Sequence, residues 1–512
     1  MRVGLRVEAV ATTGIYCRAE CSAQPHPHKV SWYSSSVAAE AAGYRPCLRC
    51  RPERRAGSLA DLDVPAPVAA ALLAITDGFL DDHDEEALAT RVGYSGRQLR
   101  RLFEAHVGAT PATIARSRRA HFARRLIDDT DLPFDAIARA AGLGGPRQLH
   151  RAITTTFKFT PTELRSKRRR GERAGLDGGL ELLVPYVAPF NFQAFAEHQA
   201  SRAIPGVEAV NSGAYTRSIS VCGYAGIAKV SDARDSQHVR LRLHLPTYDS
   251  IIDDVARCRI LLGTDADPTD AAAVLGDDPI VGPLICAAPG LRVPRSWDRF
   301  ETAVRIVVGQ QISLAGASTM CGRIVARLGT PIDAGGEMSD EGGAPVTHLF
   351  PSATAIADAG VVALAGLGFT QRRIDTIVGL SQAVANGDID LRSAEPIDDA
   401  VARLCELAGI GPWSAHLIAM RVLGHDDAFP AGDLGLRRNV AHLVGHDVSA
   451  RELEALAQRW RPYRAWAAQH IWHAGNGGAS RAAAWSPDPA ISAESAVSAR
   501  SAISNPTDRS ST

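Results

Sequence analysis

A chain of 512 residues with 46% apolar and 22% charged residues has room for three or four globular domains and is neither fibrous nor disordered as a whole. Its 56 basic and 56 acidic side chains cancel overall, but residues 1–173 hold 28 Lys and Arg against 19 Asp and Glu, so the first third is basic and points to nucleic acid. No run of about 18 apolar residues is present, which excludes a membrane span, and no charged segment followed by an apolar core opens the chain, so a cytoplasmic protein is expected.

Residues 1–56 are expected to form a small module built on Cys17-x3-Cys21 and Cys47-x2-Cys50, with 25 residues between the pairs. That is zinc-ligand spacing: four thiolates complete one tetrahedral Zn2+ site, and a module this small needs such a staple. Cys222, Cys258, Cys286, Cys321 and Cys405 are scattered in apolar contexts and read as small core residues or incidental thiols, not a disulfide framework.

The flanking stretches TTGIYCRAEC and GYRPCLRCRPE resemble the N-terminal domain of Ada-type methyl-repair proteins. The resemblance implies that Cys17 is both a zinc ligand and the acceptor of a methyl group from a DNA phosphotriester. It also implies backbone contacts from Thr13 and Arg45. The transfer is stoichiometric, because a thioether is not regenerated. Two departures stand out. Ser22 and Gln24 replace arginines usual in that family, and only sixteen residues precede Cys17 where family members carry a further helix, so the start is misassigned or the module is trimmed.

Residues 57–66 read as a linker. Two echoing segments follow, EALATRVGYSGRQLRRLFEAHVGATP (86–111) and DAIARAAGLGGPRQLHRAITTTFKFTP (135–161). Each has a short helix, a glycine turn (Gly93, Gly142) and a second helix rich in Arg and Gln, which is a helix-turn-helix pattern. The pair resembles the AraC-type DNA-binding domain over 66–170. That implies DNA contacts from Arg97, Gln98, Arg100 and Arg101 in the first unit and from Arg147, Gln148, His150 and Arg151 in the second. Arg suits guanine and Gln adenine, but the bases read stay open.

A basic cluster at 167–170 and the stretch GLDGGLE mark the next boundary. Residues 183–295 mix strand-like alternation with helical runs and suggest an α/β lobe. Residues 296–480 read as helical throughout. The Ser- and Ala-rich end, 481–512, cannot bury enough apolar surface to offset its chain entropy and is expected to be disordered.

The sharpest chemistry lies in LAGIGPWSAHLIAMRVLGHDDAFPAGDLGLRRNV, 407–440. Gly409 and Gly411 let a hairpin turn tightly and expose N–H groups before a helix that starts at Pro412, an arrangement that fits one DNA phosphate. Asp433 follows in a Gly/Pro-rich loop. Its blandest role is to cap the next helix. The whole segment resembles the helix-hairpin-helix DNA glycosylases, with the best match in the alkylpurine branch (3-methyladenine DNA glycosylase II), over roughly 183–480.

That resemblance implies that Asp433 is the catalytic carboxylate and that Trp413 and Trp472 line the base pocket. His473 stands where a further aromatic is expected, and Trp460 and Tyr463 are expected to add aromatic surface. Residues 297–317 match the family's first core helix and wedge loop, placing Gln311 in the gap left by a flipped base. Trp413 occupies the slot where strand-cutting relatives carry Lys, which implies a monofunctional enzyme. No cysteine follows Cys405, so no iron–sulfur cluster is expected, and no Pro-Cys-His-Arg motif occurs, so no activity on O6-methylguanine is expected.

The expected architecture is therefore multidomain and mainly α: a small zinc module held by four cysteines, a tandem helix-turn-helix, an α/β lobe and an all-α helix-hairpin-helix core. The expected function is excision of alkylated purines from double-stranded DNA, joined to methyl acceptance and promoter regulation, with RNA polymerase as a further partner. Two rivals stay open. One is a transcription regulator whose glycosylase-like half only binds DNA. The other is a glycosylase whose front domains are a targeting platform.

Overall fold

The computed structural model describes residues 6–19, 21–22, 30–52, 64–167, 179–233, 237–332, 345–393 and 395–475. The expected linker at 57–63, Gln24, residues 168–170 of the basic cluster and the 481–512 tail lie outside the described residues. No helix among the described residues is long and apolar enough to cross a membrane.

The first module is a four-stranded sheet in the order Val30–Tyr33, Val7–Val10, Ile15–Cys17, Arg45–Pro46. The last two strands run parallel, with Ile15 opposite Arg45 and Tyr16 opposite Pro46. This parallel pairing brings Cys17, at the end of one strand, beside Cys47, just past the end of the other.

Two helix pairs follow: Glu85–Arg91 with Gly96–His106, and Phe134–Ala140 with Pro146–Phe157. Gly93 and Gly142 make the turns at φ 78° and 66°, where a Cβ would be strained. Leu99 and Phe103, then Leu149, Ile153 and Phe157, are buried at helical spacing, so each second helix sends its polar face outward. The helix Pro111–Asp129 joins the pairs.

The next lobe is a five-stranded antiparallel sheet in the order Leu180–Pro185, His238–His244, Tyr224–Asp232, Ala214–Val221, Glu208–Asn211. Val239, Leu241 and Leu243 are buried while the alternate Arg240 is exposed, as a sheet with one covered face requires. The core of this lobe is continuous with that of the second helix pair: Leu149, Ile153 and Phe157 belong to the same cluster as Val239 and Leu241.

The remaining domain is a bundle that includes helices Arg299–Val308, Leu314–Leu328, Gln371–Ala385, Ile397–Cys405, Pro412–Ile418, Leu434–Val444 and Arg464–Gly475. It is not helical throughout, as the sequence suggested. Thr330–Pro331 pairs with His348–Leu349, because Pro331 has no N–H with which to continue a helix. The N–H groups of Thr347 and His348 then bond the Gly206 carbonyl at 2.7 and 2.9 Å and tie the bundle to the sheet lobe. A largely buried cluster of five side chains strengthens that seam. Arg217 pairs with Glu301 at 2.6 Å, Arg305 with Glu208 at 2.5 Å, and the Tyr215 hydroxyl donates to Glu208 at 2.6 Å.

Candidate functional site

Cys17, Cys21, Cys47 and Cys50 converge, with all four Sγ atoms within 4.8 Å of one another and three of the residues buried. Sulfurs bound to one zinc at about 2.3 Å would stand slightly closer than this, so the cluster fits the ion with little adjustment. Cys17 and Cys50 do not both ionise unaided. A hydrogen bond from Cys17 draws Cys50 down to about 5, while Cys17 itself is pushed far up by the same bond and by burial. A divalent cation resolves that conflict. Thr13 is exposed and its hydroxyl donates to the Val10 carbonyl at 3.3 Å. Arg45 lies over the Phe159 ring at 5.2 Å, so the residue expected on the DNA backbone also braces the zinc module against the second helix pair.

Arg97, Gln98, Arg100, Arg101, Arg147, Gln148, His150 and Arg151 are all exposed on the two second helices. Three of them have local duties as well. Gln98 closes a capping box with Ser95, the Gln148 side chain accepts from the Gly144 N–H at 2.9 Å, and Arg100 pairs with Glu85 at 2.7 Å.

The bundle brings together the other set. Gly409 has φ 88°, and a Cβ there would lie 1.9 Å from the Thr376 hydroxyl, so the hairpin admits only glycine at this point. Gly411 is exposed and immediately precedes the helix that begins at Pro412. The next loop delivers Asp433, which caps its own helix: Oδ1 accepts from the Leu436 N–H at 2.9 Å. It also does more than cap. The Trp413 indole donates to Oδ2 and the Trp472 indole to Oδ1, each at 3.0 Å. Residues 20 and 39 positions away thus hold one half-exposed carboxylate in a fixed orientation.

Gln311 is exposed, in the loop between the helices Arg299–Val308 and Leu314–Leu328, with a left-handed φ of 57°. That conformation is costly for a residue with a Cβ. Its neighbour Gln310 anchors the loop to the hairpin, donating to the Gly409 carbonyl at 3.0 Å and to the Ser414 hydroxyl at 2.9 Å. His473 is half-buried, and burial lowers its pKa. Trp460 is not pocket surface as expected. It is fully buried against Phe429, with ring centroids 5.7 Å apart, because the segment that carries it turns inward.

The chain matches four family models: the metal binding domain of Ada over residues 4–53, a helix-turn-helix domain over 88–167, the AlkA N-terminal domain over 181–298, and the HhH-GPD superfamily of base excision DNA repair proteins over 304–463. It is 40% identical over 473 residues to a probable bifunctional transcriptional activator/DNA repair enzyme AlkA of Mycobacterium tuberculosis, a match that covers 92% of each chain. The chain belongs to this bifunctional AlkA family. Its rear half is 27% identical to the DNA-3-methyladenine glycosylase 2 of Escherichia coli, over 59% of this chain and 97% of that protein. Its front is 34% identical to the bifunctional transcriptional activator/DNA repair enzyme Ada of Escherichia coli, over 31% of this chain and 44% of that protein.

Two residues that the family motifs did not single out, Arg421 and Arg202, feel the charge of Asp433, and a third, His198, feels theirs. Arg421 lies over the Trp472 ring at 5.5 Å. Arg202, beyond the helix Phe192–Ala200, feels the Asp433 carboxylate, as Arg421 does. His198 on that helix is held well below its ordinary pKa by burial, and then by Arg202 and Arg421. They come from the sheet lobe and from the far end of the hairpin helix, so no single motif contains them.

Proposed function

We propose that this chain excises alkylated purines from double-stranded DNA, and that its front half accepts methyl groups from DNA phosphotriesters and regulates transcription. The observation that carries the excision reading is the Asp433 carboxylate, fixed by two indole N–H groups one helix beyond a glycine hairpin.

The flipped base enters beside Trp413, Trp472 and His473 while Gln311 takes its place in the stack. The glycosidic bond breaks and its electron pair leaves with the base. The sugar becomes an oxocarbenium-like cation, which Asp433 stabilises through space. Water then adds to C1′ and loses its proton to Asp433 or to solvent. Trp413 offers no amine for a Schiff base, so the strand stays intact. The Gly409–Gly411 hairpin holds a backbone phosphate nearby.

In the front half, Cys17, Cys21, Cys47 and Cys50 would hold one zinc ion, which when bound keeps sulfur as thiolate at neutral pH. Cys17 Sγ attacks the methyl carbon of the phosphotriester. The C–S bond forms as the O–CH3 bond breaks, and the phosphodiester leaves with the electron pair. Thr13 and Arg45 steady the DNA backbone during this step. The helices carrying Arg97 to Arg101 and Arg147 to Arg151 then bring the protein to promoter DNA, where RNA polymerase is the further partner. Such work places it in the cytoplasm.

The test is release of 3-methyladenine from methylated duplex by the wild type and by Asp433→Asn, with the strand analysed for breaks. Release without breaks by the wild type alone supports the reading. Binding without release by both proteins would make the rear half a DNA-binding module of a regulator. Mass analysis of Cys17 after exposure to methylated DNA tests the front half: an added methyl group supports transfer, and its absence reduces the front to a targeting platform.

A further inference from the structure

Several enclosed arginines in the rear half are matched by carboxylates, although Arg292 is held by backbone carbonyls alone. Arg217 pairs with Glu301, Arg305 with Glu208, Arg464 with Asp427, and Arg299 with Asp77. Arg421 is different. Its guanidinium donates to the Pro294 carbonyl and to the Gln469 side-chain carbonyl, both at 2.9 Å, and lies over the Trp472 ring. The Arg202 guanidinium donates to the His198 carbonyl at 3.2 Å and the Ser201 hydroxyl at 2.7 Å. Among the described residues neither has a carboxylate within ion-pair distance. Two cations thus accompany the Asp433 carboxylate, whose charge reaches them both.

The position of Arg421 matters most. An aromatic ring attracts a cation through the negative charge of its faces. A base that stacks on Trp472 must share that ring with a cation already in place. The ring has less attraction left for a second cation, and the two positive charges repel across it. An uncharged purine meets no such penalty. It gains from a ring whose electrons Arg421 polarises.

We propose that Arg421, seated against Trp472 and seconded by Arg202, is a specificity-determining residue that handicaps cationic N-alkylated purines relative to uncharged purine lesions. This rests on the excision reading above and names a residue that tunes the choice between lesion classes in the same pocket. Cationic bases still leave more readily by their own chemistry. The arginines narrow that advantage, so the pocket serves both classes.

The experiment compares kcat/KM for two purines in the same duplex context: 7-methylguanine, which is cationic, and hypoxanthine, which is neutral. Arg421→Met removes the charge and keeps a long side chain in a partly buried place. The 7-methylguanine to hypoxanthine ratio should rise about tenfold over the wild type. Arg421→Lys keeps the charge and should leave the ratio near that of the wild type, which a merely structural role would not predict. If Arg421→Met does not fold, Arg202→Gln removes the second charge and should shift the ratio the same way by a smaller factor. An unchanged ratio in the folded charge-removing variant, or a shift toward hypoxanthine, overturns the proposal. If the wild type releases 3-methyladenine but neither of these bases, the proposal is overturned while the excision reading stands; if it releases none of the three, both fall.

Discussion

Glu40 and Asp433 are both enclosed carboxylates, and their surroundings differ in kind. Glu40 sits between the zinc module and the helix Pro111–Asp129. Its oxygens receive the Tyr16 hydroxyl at 2.6 Å, the Ser117 hydroxyl at 2.7 Å and the His121 ring nitrogen at 2.5 Å. Burial alone would raise its pKa, but the charge of His121 and these three donors hold it below the ordinary value. Asp433 also has three donors, yet one face of its site is open and its neighbouring charges are arginines without carboxylate partners. The first arrangement is complete and serves to hold two domains together. The second is incomplete, and a nucleotide would complete it.

The largest expected effect breaks the complete site. Glu40→Ala takes this acceptor from His121 and two hydroxyls at a buried seam and should cost about 3–5 kcal/mol of docking between the zinc module and the helix-turn-helix domain. Hydrogen exchange in residues 36–42 and 111–129 would read the loss. The pH dependence follows from the sign of the shift. A carboxyl whose folded pKa lies below its unfolded value stabilises the fold above the unfolded value, and that contribution fades as pH falls through the folded value. Protection at this seam should therefore be full at neutral pH and decline only below pH of about 4.

Next comes the open site. Trp472→Phe keeps an aromatic face but removes one N–H from Asp433, and the rate of base release should fall about ten- to hundredfold in single-turnover assays. Gly409→Ala comes third: positive φ and the clash with Thr376 should cost about 1–3 kcal/mol of stability. The contrasting Gly411→Ala should be nearly silent in thermal unfolding, since φ there is −101° and nothing lies within 4 Å. The smallest effects belong to the exposed helices. Arg97→Ala or Arg151→Ala should leave unfolding unchanged and lower the salt slope of DNA binding by about one.

The comparison also explains what could be read from the sequence. The four cysteines, the paired helix-turn-helix units and the hairpin with Asp433 are short patterns whose spacing carries their chemistry, and the fold assembles each of them. The Glu40 network joins residues 16, 40, 117 and 121, which share no motif. The Arg118 guanidinium bridges Asp81 and Asp253 at 2.7 and 2.8 Å, fastening the helix-turn-helix domain to the sheet lobe across 135 positions. Only tertiary packing creates such pairs. Trp460 shows the opposite limit: its residue type suited the pocket, but the orientation of its segment put it in the core. His198 and Arg202 belong to no short motif, and only the packing of their lobe against the bundle sets them in the same charged surroundings as Arg421.

The central claim is that Asp433 acts on the substrate and does not merely support the fold. The most direct measurement is single-turnover release of 3-methyladenine by Asp433→Asn, taken with thermal unfolding of the same preparation. Asn caps a helix as well as Asp does, so the account predicts an unfolding midpoint close to that of the wild type and a rate lower by about two to three orders of magnitude. A variant that releases base at the wild-type rate, or that loses activity only because it unfolds, would contradict it.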